Sequence, residues 1–170
     1  LKNYSQNLMK NVLSEKEFLD ASTIKINEPI INNLINESEK IATTLLVHLE
    51  NSNFKPISLE KKFDANTNIK INNLNLIGKV DRIDAYENMV RIIDYKTGSS
   101  TSFKISDIYY GTAIQLPLYS YILKEQGKNV VGMFYLLIRN KFDGKQIPKL
   151  NGVLVSDLEV AKNMDVNLKP

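Results

Sequence analysis

Residues 78–98 read GKVDRIDAYENMVRIIDYKTG. Two apolar, β-branched runs flank Glu87-Asn88, a turn signal, so the stretch predicts a β-hairpin. Asp81, Asp84, Asp94 and Lys96 interrupt it where a plain sheet would carry Val, Ile or Thr. Side chains two apart on a strand share a face, so Asp94 and Lys96 point the same way. A loop of three or four residues after Ala85 sets Asp81 opposite residue 93 or 94, and neighbouring strands lie about 4.8 Å apart. Asp81 and Asp94 then fall within reach of one shared cation. Two carboxylates that close in a partly dry site repel, so the arrangement needs a positive charge between them. Mg²⁺ or Mn²⁺ suits oxygen ligands and leaves positions for water and phosphate. Taken singly, an Asp or Lys in a strand more often marks an edge or a solvated face. The specific signal is the combination: an Asp, then a second Asp followed by an aromatic residue and Lys, across a strand–turn–strand.

Composition narrows the chemistry. The chain has no cysteine, which excludes disulfides, thiolate zinc and iron–sulfur ligation by these residues and fits a reducing, cytoplasmic setting. His48 is the single histidine, so a site built on two imidazoles is excluded. No apolar run approaches the roughly 18 residues needed to span a bilayer. Residues 1–60 carry 6 Lys against 8 acids, whereas residues 61–170 carry 16 Lys and Arg against 11 acids. The basic part suits a polyanion, although a lysine-rich solvated surface is the simpler reading of the charge alone. No Walker phosphate loop is present, so ATP is not bound here by that route.

Around the hairpin the pattern is mixed. A loose apolar stripe over residues 4–20 and a stronger one from Glu28-Pro29 to Asn51 predict two helices. FKPISLEKKF (54–63), NLNLIGKVDRIDAY (73–86) and MVRIIDYKT (89–97) predict strands. Ile108 to Gln126 predicts one helix, stopped by Gly127, with a kink or an irregular first part at Pro117. NVVGMFYLLIRN (129–140) predicts a strand buried on both faces, and VSDLEVAKNM a short helix capped by Ser156. The expectation is one α/β domain over 1–170, with a mixed central sheet flanked by helices. Its helical N-terminal part covers 1–52 and its core 53–170.

The run GKVDRID…IIDYKTG followed by YYGTAIQLPLYSYIL resembles the RecB-like branch of the PD-(D/E)-x-K nuclease superfamily, among the nuclease domains carried by helicase–nuclease complexes. The likeness extends over roughly residues 40–168. It implies a restriction-endonuclease-like fold and Mg²⁺- or Mn²⁺-dependent deoxyribonuclease activity of the exonuclease type. It also implies work on double-strand DNA ends, in recombinational repair, beside a helicase partner subunit. By the same resemblance Asp81 and Asp94 are the metal carboxylates and the Tyr95 carbonyl a further ligand. Lys96 is the catalytic lysine, while Gln115 and Tyr119 match the family's Gln-x-x-x-Tyr motif and face the nucleic acid. Tyr119 alone reads equally well as a core aromatic, and Arg82 and Asp84 form a pair on the opposite face.

Val80 stands where the superfamily's name has proline. The family's upstream histidine or glutamate has two weak counterparts here, His48 and Glu60. The family's iron–sulfur cysteines flank the nuclease core and are absent here, so either the chain is a piece of a longer protein that ligates a cluster outside these residues, or it belongs to a lineage without the cluster. A nuclease fold kept only to bind DNA or a partner is the competing reading; intact Asp81, Asp94, Lys96 and Gln115 argue against it.

Overall fold

The computed structural model describes residues 3, 4, 7, 11, 28–64, 69–71, 73–97, 103–138 and 150–168, within two compact units: 1–48 with 139–147, and 49–138 with 148–170. In the first, the stripe from Glu28 forms α1 (Glu28–Glu50), which runs to the unit boundary. Pro29 occupies its first turn, where the missing N–H would have no intrahelical partner in any case. α1 buries Ile35. Asn3, Tyr4, Asn7 and Asn11 are helical, and the rest of the stripe expected over 4–20 lies outside the described residues.

The second unit is built on a sheet. Its elements are β1 (Lys55–Phe63), β2 (Lys70–Ile71), β3 (Leu74–Asn75), β4 (Gly78–Tyr86), β5 (Met89–Lys96), α2 (Ile105–Tyr109), α3 (Gln115–Glu125), β6 (Asn129–Leu137), β7 (Leu150–Leu154) and α4 (Leu158–Met164). Five strands form one mixed sheet in the order β1-β4-β5-β6-β7, with β2 and β3 a separate small hairpin. Only β5 and β6 run parallel among the pairs of the large sheet. α2 and α3 lie in the chain between those two strands, as a parallel connection requires. β6 is buried on both faces, as its unbroken apolar run predicts.

Helices cover both faces of the sheet. Leu116, Tyr119, Ile122 and Leu123 of α3 close over Ile83, Val90, Ile92 and Val130. On the other side Val160 of α4 packs with Phe54 and Val131. Among the described residues no helix is long and apolar enough to cross a membrane.

Four local expectations change. The strand expected over 73–86 is broken at Leu76-Ile77 into β3 and β4, and β3 pairs with β2 outside the large sheet. The single helix over 108–126 is two helices, α2 and α3. Gly111, at φ 73°, breaks the run, and the Asp107 carbonyl accepts from the N–H groups of Thr112 (2.8 Å) and Ala113 (3.1 Å). Pro117 therefore kinks nothing: it is the third residue of a new helix, where its missing N–H is harmless. The cap of α4 is Asp157, not Ser156; its extended backbone lets the carboxylate accept from Glu159 and Val160 N–H. β7 was not anticipated, because Asn151-Gly152 reads as a turn and only pairing with β6 makes it a strand.

Candidate active site

A two-residue turn sets the register of the hairpin. Tyr86 pairs with Met89, leaving Glu87 and Asn88 as the connection, and Glu87 takes a positive φ of 53°. Pairing runs to Arg82 opposite Ile93, so one further step puts Asp81 level with Asp94. The Asp81 carboxylate accepts from the Tyr95 main-chain N–H at 2.8 Å, which anchors it across the gap between the strands.

Asp94, Lys96 and Gln115 form a closed polar ring. The Lys96 Nζ lies 2.6 Å from Asp94 Oδ2 and donates to Gln115 Oε1 at 3.1 Å. Gln115 Nε2 in turn donates to Asp94 Oδ1 at 2.8 Å and meets the Tyr119 hydroxyl at 3.4 Å. Gln115 and Tyr119 are four residues apart on α3, so both reach the site from one helix face. The Tyr119 ring is buried in the core, as its core-aromatic reading expects, and its hydroxyl touches the Gln115 amide. Gly78 makes room for it: a Cβ there would sit 2.9 Å from the Tyr119 ring edge. Lys96 Nζ also lies over the Tyr135 ring, 4.8 Å from its centroid.

Burial is the largest influence on Asp94 and lifts its pKa above the ordinary carboxylate value. Lys96 pulls it back in part, and Asp81 adds to the lift. For Lys96 burial works toward deprotonation, but the Asp94 pair outweighs it and the pKa is raised. The amine is therefore an ammonium at neutral pH, a donor and a positive charge rather than a base.

The residues fit a hard divalent ion. Asp94 is 2% exposed and level with Asp81 across the strands, so two neighbouring carboxylates have one ammonium, Lys96, close to them. Two acids that close are costly unless further positive charge meets them. Among the described residues no three His, Cys, Asp or Glu side chains cluster in a way that would hold a metal. Two carboxylates would thus share an ion with main-chain oxygen, water and phosphate, as Mg²⁺ tolerates. Of the two weak candidates for a third side chain, Glu60 is exposed on β1 and paired with Lys79. His48 lies in the last turn of α1, in the first unit.

The opposite face of the hairpin carries the Arg82–Asp84 pair that the alternation implies, together with a third member that it did not reveal. Arg82 grips Asp84 with two bonds, Nε to Oδ1 at 2.5 Å and Nη2 to Oδ2 at 2.8 Å. Arg91, directly across from Asp84, adds Nε to Oδ2 at 2.9 Å. Its guanidinium stacks over Phe54, 5.1 Å from the ring centroid. Two guanidinium groups thus share the one carboxylate of Asp84, and neither bonds Asp81 or Asp94. The sequence holds a signal for Arg91: with a two-residue turn, position 91 faces position 84.

Comparison with known proteins gives the same reading. Residues 2–168 match the sequence profile of the PD-(D/E)XK nuclease superfamily. The chain is similar to three AddB proteins, the B-type subunits of ATP-dependent helicase/deoxyribonuclease. The Clostridium kluyveri protein is 35% identical over 152 residues, covering 73% of this chain and 12% of the relative. That of Clostridioides difficile is 31% identical over 158 residues, covering 74% and 14%. That of Thermoanaerobacter sp. (strain X514) is 33% identical over 153 residues, covering 71% and 13%. The chain therefore spans about an eighth of the length of these relatives. With a mixed sheet flanked by helices, an Asp–Asp–Lys hairpin and a profile match over nearly all its length, this chain belongs to the PD-(D/E)XK nuclease superfamily.

Proposed function

We propose that the chain hydrolyses DNA phosphodiester bonds with Mg²⁺ or Mn²⁺ held by Asp81, Asp94 and the Tyr95 carbonyl. The observation that carries this is the buried Asp94 carboxylate, level with Asp81 and inside a ring closed by Lys96 and Gln115. When bound, the ion supplies a Lewis acid for a phosphate oxygen and lowers the pKa of its water. The remaining work falls to side chains. Lys96 stays protonated, so it orients the attacking water and offsets charge growing on the phosphorane-like transition state. Gln115 fixes both Asp94 and Lys96 and, with Tyr119, presents an amide and a hydroxyl toward the nucleic acid. Contacts of this kind read phosphate rather than base, so sequence preference is not expected.

The named relatives are subunits of an ATP-dependent helicase/deoxyribonuclease, which supports a setting in a helicase–nuclease complex; the helicase partner subunit, double-strand DNA ends and recombinational repair rest on the RecB-like resemblance of the sequence. An iron–sulfur cluster, if the full protein carries one, takes no ligand from this cysteine-free chain.

The test is cleavage of single- and double-stranded DNA with Mg²⁺ or Mn²⁺ supplied. Lys96→Ala is expected to lower kcat by on the order of a hundredfold or more with the fold intact. Near-full cleavage by that variant would overturn the assignment.

A further inference from the structure

Resting on the nuclease reading of this site, we propose that Tyr135 is the positioning residue for Lys96. Its ring face keeps the ammonium in place when Asp94 is given over to a divalent cation. Among the described residues, Lys96 Nζ lies against Asp94 Oδ2, Gln115 Oε1 and the Tyr135 ring. The first is the oxygen a metal would claim. The second belongs to an amide whose Nε2 is tied to the other oxygen of the same carboxylate. Both contacts thus depend on Asp94. The ring does not, because it is neutral and comes from another strand.

Its placement follows from the sheet. Tyr135 pairs with Asp94 across the parallel β5–β6 ladder, so its side chain lies on the same face as Asp94 and Lys96. It is 8% exposed, and its ring sits 6.0 Å from that of Phe103 at an interplanar angle of 53°. A desolvated ring beneath an ammonium attracts it through the negative π face. Once Asp94 Oδ2 is committed to a divalent cation, the ammonium loses part of its ion pair and faces a second positive charge nearby. Without an independent attraction it would swing toward solvent, since more than a third of its side-chain surface is already exposed. The contact is made by the ring and not the hydroxyl, which separates this role from simple packing and from proton transfer.

The experiment replaces Tyr135 with Phe and with a series from singly to fully ring-fluorinated phenylalanines. Size stays nearly constant while the attraction for a cation falls step by step. Phe is expected to keep kcat within about twofold. Progressive fluorination should lower kcat to roughly a tenth, the range of a desolvated cation–π contact, with KM for DNA little changed. The second readout is the NMR shift of the Lys96 Cε protons, displaced upfield by the ring below. In the unsubstituted chain the displacement should persist when Mg²⁺ is added, and in Tyr135→Leu it should vanish. A flat kcat across the fluorinated series would overturn the inference. So would loss of the upfield shift in the unsubstituted chain on adding Mg²⁺ while Asp81 and Asp94 signals report binding. If Mg²⁺ and Mn²⁺ move neither aspartate and no DNA is cut, the reading of the site fails, and this inference with it.

Discussion

The buried triad under the hairpin lends itself to a quantitative test, because its three members are not interchangeable. Arg82, Asp84 and Arg91 are 2%, 0% and 1% exposed, and two guanidinium groups share one carboxylate. Asp84→Asn preserves shape and leaves both cations without a counter-charge. Stranding buried charge in this way costs about 3–5 kcal/mol. Arg91→Met is different. It removes one hydrogen bond and the contact with Phe54, but the bidentate Arg82–Asp84 pair survives as a neutral unit. It also removes a charge that burial already disfavours, since Arg91 is held below the ordinary guanidinium pKa. Its cost should stay within about 1.5 kcal/mol. For a chain of this size each kcal/mol moves Tm by about 2–4 °C. Asp84→Asn should therefore melt about 6–20 °C lower and Arg91→Met no more than about 6 °C lower. Calorimetry, with urea titrations to show unchanged m-values, measures both. If Arg91→Met proved as damaging as Asp84→Asn, the triad would not be organised around its single acid.

Three further outcomes follow from the site and its supports. Burial raises the Asp94 pKa, so the folded chain takes up that proton more readily than the unfolded one; the stability this gives is full below the unfolded pKa and is lost as pH rises through the folded pKa. A divalent cation offsets that loss only when the carboxylate is ionised, so the Mg²⁺-induced rise in Tm should be small near ~pH 4 and reach its plateau toward ~pH 7; Asp94→Asn should abolish both the rise and its pH dependence. Gly78→Ala places a methyl group 2.9 Å from the Tyr119 ring and should displace the hydroxyl from Gln115; a fall in kcat of about three- to tenfold with about 1–2 kcal/mol lost in urea melts is expected, and unchanged values would show that Tyr119 does not set Gln115. Asp157→Ala should cost about 1 kcal/mol, seen as a Tm about 2–4 °C lower with cleavage unaffected, whereas Ser156→Ala should leave the melt unmoved.

What could be read from the sequence divides along the range of the interactions involved. Asp81, Asp94 and Lys96 were legible because two short-range rules place them, side-chain alternation along a strand and a turn at Glu87-Asn88. Gln115 was reachable only through a motif; its two bonds into the ring cross the gap between α3 and β5, which no period in the sequence encodes. The same limit explains the errors. Tyr109, Tyr110 and Ile114 continue an apolar run across the break at Gly111, so periodicity joined two helices that a positive φ and the Asp107 carbonyl separate. Arg91 was not singled out, because it falls opposite Asp84 only once the turn is fixed at two residues. Tyr135 was hidden most completely. It lies 39 residues from Lys96 in a run that needed no explanation beyond burial, and only a parallel pairing closed over α2 and α3 brings the ring under the ammonium. The residues that hold charge announce themselves, because charge in a strand is conspicuous. Those that keep the charge in position are apolar or aromatic and blend into the core, so they become visible only once the sheet is assembled.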